Sequence, residues 1–217
     1  MLGRIKTHQK DKGDTLVEVL FAVTVFSLVA VGGMSIMNQG TATSQRALEI
    51  TLVRQEIDGQ AETLRFLNAS YISAYRSGLS NYPSDTPAGQ WSIMQDSIIA
   101  SGFSRASEFG TGAVCPAPPA GSFILNAKKA TFIPPSEGMF RNAETFAQVR
   151  YETVNNEAVV ASSDGIWIEA IRAATVSDNN QSTAGYTDFH IRACWDSPGQ
   201  AAPVTLGTIV RLYEPRS

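Results

Sequence analysis

The chain contains little histidine and none of the common catalytic motifs. Of its 217 residues only His8 and His190 are histidines, so an imidazole-based metal site or catalytic relay would have very few ligands to use. No nucleophile elbow, phosphate-binding loop or zinc-ligand spacing occurs in the sequence. We therefore expect no enzymatic activity, no cofactor and no metal, and we interpret His190 as a structural histidine.

Clustered charge of either sign is also scarce. The formal net charge is -3, and the basic residues form no patch interleaved with aromatic residues, which argues against nucleic acid as the main partner. Residues 178–182 (DNNQS) are rich in oxygen ligands but lack the spaced carboxylates that calcium normally needs. We interpret this segment as a solvated turn, with a calcium site as the alternative. No motif indicates DNA or a surface ligand.

One long apolar run lies near the N-terminus. Residues 16–37 read LVEVLFAVTVFSLVAVGGMSIM, in which Glu18 is the only charged residue. About twenty such residues are what a helix needs to cross a bilayer. Residues 1–13 contain four basic residues and one acid: Arg4, Lys6, Lys10, Lys12 and Asp11. Short basic segments stay in the cytoplasm, so we predict a single-pass membrane protein with an extracytoplasmic head.

The two cysteines, Cys115 and Cys194, both fall in the part predicted to leave the cytoplasm, where disulfides persist. We expect them to pair, and the alternative is two buried free thiols. Closing a loop of roughly 80 residues stabilises a fold by about 4 to 5 kcal/mol in the chain-entropy model. The proline-rich segment 115–121 is expected to be an irregular connection that the bond tethers.

The apolar run continues into an amphipathic stretch without an intervening proline. Ile50, Val53, Ile57, Ala61 and Leu64 recur at three- and four-residue steps, with charged residues between them. We predict one long helix over residues 14–68 with its transmembrane part at about 16–37. Turn-forming residues over 81–89 indicate a loop.

The second half of the chain is expected to be rich in strands, in a globular head over residues 69–217. Val149, Tyr151 and Thr153 alternate with polar residues, and a turn at 155–156 precedes another apolar stretch, which predicts a hairpin. Further strands are predicted at 165–172, 187–195 and 208–213. In the second of these, one face is shared by Phe189, Ile191, Ala193 and Trp195. The predicted class is α+β, with the stripe of residues 50–64 packed on an antiparallel sheet.

The segment 12–20 (KGDTLVEVL) resembles the class III signal of type IV pilins and type II secretion pseudopilins. In that family a basic leader ends in glycine, Thr-Leu often follows, and a glutamate is the fifth residue after the cleavage site. Gly13, Thr15, Leu16 and Glu18 match in type and spacing, whereas Asp14 stands where the family usually has an apolar residue. The resemblance covers residues 1 to about 65 and implies cleavage of the leader 1–13 between Gly13 and Asp14, with methylation of the new N-terminus.

The resemblance also gives the residues after the cut a role in filament assembly. The freed α-amine of Asp14, with a reference pKa near 8, would meet Glu18 of an adjacent subunit and set the axial register. Two alternatives remain: Glu18 marks the headgroup boundary of a simple anchor, or residues 30–32 (AVG) form the cleavage site of an ordinary secretory signal. The family matches that flank Glu18 disfavour the first alternative, and the carboxylate within the apolar run and the long stripe beyond it disfavour the second.

We expect a structural subunit, a minor pilin, of a cell-surface filament. The implied partners are other pilin subunits, a prepilin peptidase, an assembly platform in the inner membrane and, before assembly, membrane lipid. The alternatives are a pseudopilin of a type II secretion or DNA-uptake machine, and a single-pass anchored extracellular binding domain that does not polymerise.

Overall fold

A computed structural model of the chain describes residues 14–101, 114–172, 177–178, 181–182 and 185–215. The predicted leader, with Gly13, lies outside the described residues, as do residues 179–180 of the segment considered for calcium. The chain divides into two compact units, Met1–Gln45 and Arg46–Ser217. The division falls within one continuous helix.

Helix α1 extends over Asp14–Arg76, so it continues eight residues beyond the predicted end at residue 68. It ends in a Schellman motif, in which Gly78 has a φ of 79°. Gly78 N–H donates to the Tyr75 carbonyl at 3.0 Å, and Leu79 N–H donates to the Ala74 carbonyl at 3.2 Å. Residues 69–76 contain neither proline nor glycine, so nothing local ends the helix earlier.

A second helix, α2, extends over Pro87–Ser101, so the loop predicted over 81–89 was wrong for its last three residues. Proline is favoured at the first position of a helix, and Thr86 caps this one by accepting a hydrogen bond from Gly89 N–H at 3.1 Å. A Cβ atom on Gly89 would collide with the Pro83 carbonyl oxygen. The residues interpreted as loop formers therefore also begin a helix.

The strands of the head, in chain order, are β1 Ile124–Asn126, β2 Thr131–Ile133, β3 Phe140–Arg141, β4 Gln148–Val154, β5 Glu157–Asp164, β6 Ile166–Arg172, β7 Ser177–Asp178, β8 Gln181–Ser182, β9 Tyr186–Trp195 and β10 Val204–Tyr213. Among the described residues they form two three-stranded sheets, in the orders β10-β9-β6 and β3-β5-β4, and two two-stranded ones, β1-β2 and β7-β8. The pairings are antiparallel except for the short pair β3-β5.

The predicted hairpin is confirmed. Strands β4 and β5 pair through a two-residue turn in which Asn155 and Asn156 have φ values of 50° and 66°. Both central residues of a type I′ turn need positive φ, and asparagine tolerates it better than most residues. The strands predicted at 165–172 and 187–195 are β6 and β9. Strand β10 begins four residues before the predicted start at residue 208.

The core of the head combines one stripe of α1 with one face of β9, as predicted. Val53, Ile57, Ala61 and Leu64 are at most 3% exposed, and the same core contains the four inward residues of β9. Gln60 lies in this stripe with no exposed surface. Leu125 is in register with Phe132 of β2, and its backbone groups bond to the Gln60 amide: Gln60 Nε2 donates to the Leu125 carbonyl at 2.9 Å and Leu125 N–H donates to Gln60 Oε1 at 3.0 Å. The α+β class is confirmed.

Candidate functional site, an exposed apolar helix

The first half of α1 presents apolar side chains to its surroundings on every side of the helix. Between residues 16 and 37 the large apolar side chains are 43% to 74% exposed. They are Leu16, Val17, Val19, Leu20, Phe21, Val23, Val25, Phe26, Leu28, Val29, Val31, Met34, Ile36 and Met37. A surface helix of a soluble domain normally exposes one polar face, so this segment needs an apolar environment all around it.

Two of the hydroxyl side chains inside the apolar segment, those of Thr24 and Ser27, do not require water. Thr24 Oγ1 donates to the Phe21 carbonyl at 2.8 Å, and Ser27 Oγ donates to the Val23 carbonyl at 2.7 Å. Hydroxyl groups that bond back to the helix backbone satisfy their donor without a solvent partner. The segment therefore suits a hydrocarbon surrounding, in which an unsatisfied polar group is costly.

The segment also has the length that a bilayer requires. At a rise of 1.5 Å per residue, residues 16–37 extend about 33 Å, and a hydrocarbon core is about 30 Å thick. By length and composition, α1 is long and apolar enough to span a membrane. The candidate span contains the predicted transmembrane part, and the bounds of that part within α1 stay a prediction.

Glu18 and Leu16 lie at the start of the exposed apolar segment. Both side chains are exposed, Leu16 to 68%. Asp14 and Thr15 belong to the first turn of α1, and Gly13 lies outside the described residues. The structure thus places Glu18 on an exposed helix four positions after Asp14, whereas the cleavage and the pairing across subunits stay predictions.

The disulfide between Cys115 and Cys194 is present, with a Cα–Cα distance of 5.6 Å, so the alternative of two free thiols is wrong. The residues that follow Cys115 form neither helix nor strand up to Ser122, as predicted. Cys194 lies near the end of β9, the central strand of the sheet β10-β9-β6. The bond therefore tethers the irregular connection to this strand.

Glu49 holds the beginning of the buried stretch of α1 to the end of β9. Its Oε2 atom accepts hydrogen bonds from Trp195 Nε1 at 3.1 Å and from Ser197 Oγ at 2.7 Å. Trp195 is 1% exposed, so its indole N–H depends on this carboxylate. No local pattern of the sequence indicates this role of Glu49, because its two partners are far away in the chain.

His190 lies on the face of β9 opposite the core, paired in register with Glu169 of β6 and Ile209 of β10. Burial lowers its pKa from the ordinary value of 6.5, and the nearby Arg192 guanidinium lowers it further. Trp167 Nε1 donates to Glu169 Oε1 at 2.7 Å, and Arg192 Nε lies 3.3 Å from the same oxygen. His190 thus belongs to a partly buried polar cluster that the sequence did not indicate.

The part of the chain that the structure describes contains no evident metal centre. No three histidine, cysteine, aspartate or glutamate side chains in that part come together in a way that could hold a metal ion. The segment considered for calcium falls partly outside it, with residues 177–178 and 181–182 paired as β7 and β8.

Comparison of the chain with protein-family models, with curated proteins and with solved structures finds no match. The functional conclusion therefore rests on the residues and on the geometry described above.

Proposed function

We propose that the chain is a structural subunit, a minor pilin, of a type IV pilus-like filament, cleaved by prepilin peptidase after Gly13 and assembled through its apolar helix. The observation that supports this best is the first half of α1. It is an uninterrupted helix with exposed apolar side chains on every side, and Glu18 is the single carboxylate of its apolar run over residues 16–37.

Two surroundings can remove the exposed apolar side chains from water. Burying one large apolar side chain stabilises a protein by about 1.5 to 3 kcal/mol, so the segment is strongly driven out of water. Lipid provides the first surrounding, when the subunit is stored in the membrane. The helices of neighbouring subunits provide the second, because a filament core can enclose a helix that is apolar all round.

Glu18 distinguishes the membrane from the filament, because its carboxylate is unfavourable in the first and would be paired in the second. A carboxylate at the centre of a bilayer costs about 2.5 to 3.5 kcal/mol on insertion scales, and less near the end of the span. A bilayer offers the Glu18 carboxylate no favourable partner, whereas a filament would. There the α-amine of Asp14 from an adjacent subunit would neutralise it, and the pairing would set the axial register.

The assignment to the minor pilins rests on two features of the chain. Its head is large, with ten strands and a second helix among the described residues, and the residue after the cleavage site is Asp14 rather than an apolar residue. A pseudopilin of a secretion or DNA-uptake machine would use the same helix with different companion proteins. A single-pass anchored binding domain would use it without polymerising.

The first experiment is mass spectrometry of the N-terminus of protein recovered from membranes. We expect the mature chain to begin at Asp14 and the Gly13→Ala variant to retain its leader. An intact leader in the wild type, or a start beyond Gly32, would contradict the proposal and favour an anchor or a conventional secreted protein.

The second experiment compares membrane and sheared-fibre amounts of wild type, Glu18→Ala and Glu18→Val at equal expression. We expect normal or better membrane insertion and strongly reduced fibre incorporation, because removing one member of a buried charge pair costs about 3 to 5 kcal/mol. Glu62→Ala is the matched control, since Glu62 is an exposed acid of the same helix whose ion pair with Arg65 is also exposed. Equal fibre incorporation of all variants would show that Glu18 is only a boundary residue.

A further inference from the structure

A cavity of about 310 Å³ opens at one end of the head, between the last turns of α1, the outer side of α2 and the ends of β6 and β10. Its walls contain three aromatic side chains, Tyr71, Tyr75 and Trp91. The charged residues in its walls are Asp96, Arg172 and Glu214. The volume lies in the range of sites that take small ligands.

The aromatic residues come from two different helices. Tyr71 and Tyr75 are one turn apart on α1, whereas Trp91 belongs to α2. Trp91 is 3% exposed and belongs to the core, while Tyr75 is 36% exposed. Burial, followed by interactions with Tyr82, raises the pKa of Tyr71, so its phenol is neutral at physiological pH. The cavity therefore offers uncharged aromatic surface supported by a packed core.

The charges of the cavity do not cancel. Arg172 donates from Nε and from Nη2 to Glu214 Oε1, at 3.1 Å and 2.8 Å, so this guanidinium is matched by one carboxylate. Asp96 forms no ion pair with any residue in the described ranges, and its side chain is exposed. Among the described residues of the lining, one net negative charge remains beside the aromatic side chains.

We propose that this cavity binds a compact organic cation, an ammonium group carried either by a small molecule or by a lysine side chain of another protein. Aromatic faces attract cations through the ring quadrupole, and this attraction is the basis of ammonium recognition by aromatic side chains. The Asp96 carboxylate adds a charge of the opposite sign. An anionic ligand would be repelled by Asp96, because Glu214 already pairs with Arg172, the one basic residue among the described residues of the lining.

The test uses the full-length protein in a non-ionic maltoside detergent, which contributes no ammonium group. The ligands titrated are choline and Nα-acetyl-lysine methylamide, whose side-chain ammonium group is free. Binding is followed by calorimetry and by NMR of the tyrosine rings. The control ligand is the uncharged isostere of choline, in which a tert-butyl group replaces the trimethylammonium group. We expect saturable binding of at least one cation and at least about tenfold weaker binding of the isostere, a difference of about 1.4 kcal/mol.

Two variants test the named side chains. Asp96→Asn and Tyr75→Leu are each expected to weaken cation binding, the former by about tenfold, without changing the thermal unfolding of the head, because both side chains are at the surface. Asp58→Asn is the matched control, an exposed aspartate of α1 that does not line the cavity.

The two ligands separate the two sources. Binding of choline alone indicates a small ammonium compound, and binding of the lysine derivative indicates a protein partner. Either result supports the proposal. Equal binding of the isostere, no saturable binding of either cation, or unchanged affinity in Asp96→Asn would overturn it.

Discussion

Helix α1 has large apolar side chains along most of its length, but two stretches of it meet different surroundings. Between residues 16 and 37 the exposed fraction of these side chains is 43% to 74%, whereas Val53, Leu64 and Leu67 have no exposed surface. In the first stretch apolar residues occupy every face of the helix, and in the second they occupy one stripe. The second stretch is satisfied within its own chain, and the first requires other molecules.

The difference shows that burial follows the arrangement of apolar residues rather than their number. A single stripe can be covered by one sheet, and the core face of β9 covers it here. A helix that is apolar all round can be covered only by a surrounding medium or by several helices. Four changes test this contrast between the two stretches, beginning with the change of largest expected effect.

Removing the disulfide should affect only the head. In Cys115→Ser/Cys194→Ser, a loop of 79 residues is no longer closed in the unfolded chain, and the free energy of unfolding should fall by about 4.5 kcal/mol in the chain-entropy model. Thermal unfolding of full-length protein in detergent measures this effect, and fractionation measures membrane insertion. Lost insertion at normal expression would show that the two stretches are not independent.

Substitution of leucine by alanine should lower the stability of the head in the second stretch and leave it unchanged in the first. Leu64→Ala removes a fully buried side chain and should lower the free energy of unfolding by about 2 to 5 kcal/mol. Leu28→Ala removes a side chain that is 74% exposed, so it should leave head unfolding unchanged. It serves as the matched control in the same denaturation series. A comparable loss of head stability in both variants would contradict the contrast.

Glu49→Ala should weaken the attachment of the buried stretch to β9. It leaves the buried indole N–H of Trp195 and the Ser197 hydroxyl without their shared acceptor, which should cost about 1 to 3 kcal/mol. Asp58→Ala, an exposed acid of the same helix, is the control and should change stability little. Chemical denaturation followed by tryptophan fluorescence measures both, and equal midpoints would show that the two hydrogen bonds add nothing.

Glu56→Gln should have the smallest effect, and its sign should be favourable. Burial raises the pKa of Glu56 above its ordinary value of 4.5, although a hydrogen bond from the Val149 backbone opposes the shift. The folded state therefore holds this proton more tightly than the unfolded state, and the benefit of that proton is lost as pH rises through the folded pKa. The glutamine variant should be more stable than wild type at pH 7, and the difference should shrink as the pH falls toward 4.5. Thermal unfolding at several pH values checks this, and a difference that grows on acidification would contradict it.

Local features were predictable from the sequence because their causes lie close together in the chain. The apolar run, the stripe of residues 50–64, the Asn155–Asn156 turn and the strands β6 and β9 each follow from composition or from a short periodicity. The disulfide was predictable because the chain has only two cysteines. The end of α1 was placed eight residues too early, although residues 69–76 contain neither proline nor glycine. Helix α2 was not predicted, because Pro87 and Gly89, which suggest a loop, can also begin a helix.

The sequence by itself determined which stretches of the chain need an apolar environment, and whether that environment must cover every side of a helix or only one stripe of it. Only the tertiary structure decided which partners meet. Gln60 bonds to Leu125 across 65 positions, and Glu49 bonds to Trp195 across 146. The cavity beside Asp96 likewise combines residues from both helices and from the ends of two strands. Such partners are brought together by the folding of the whole head, and a local pattern has no information about residues so far away in the chain.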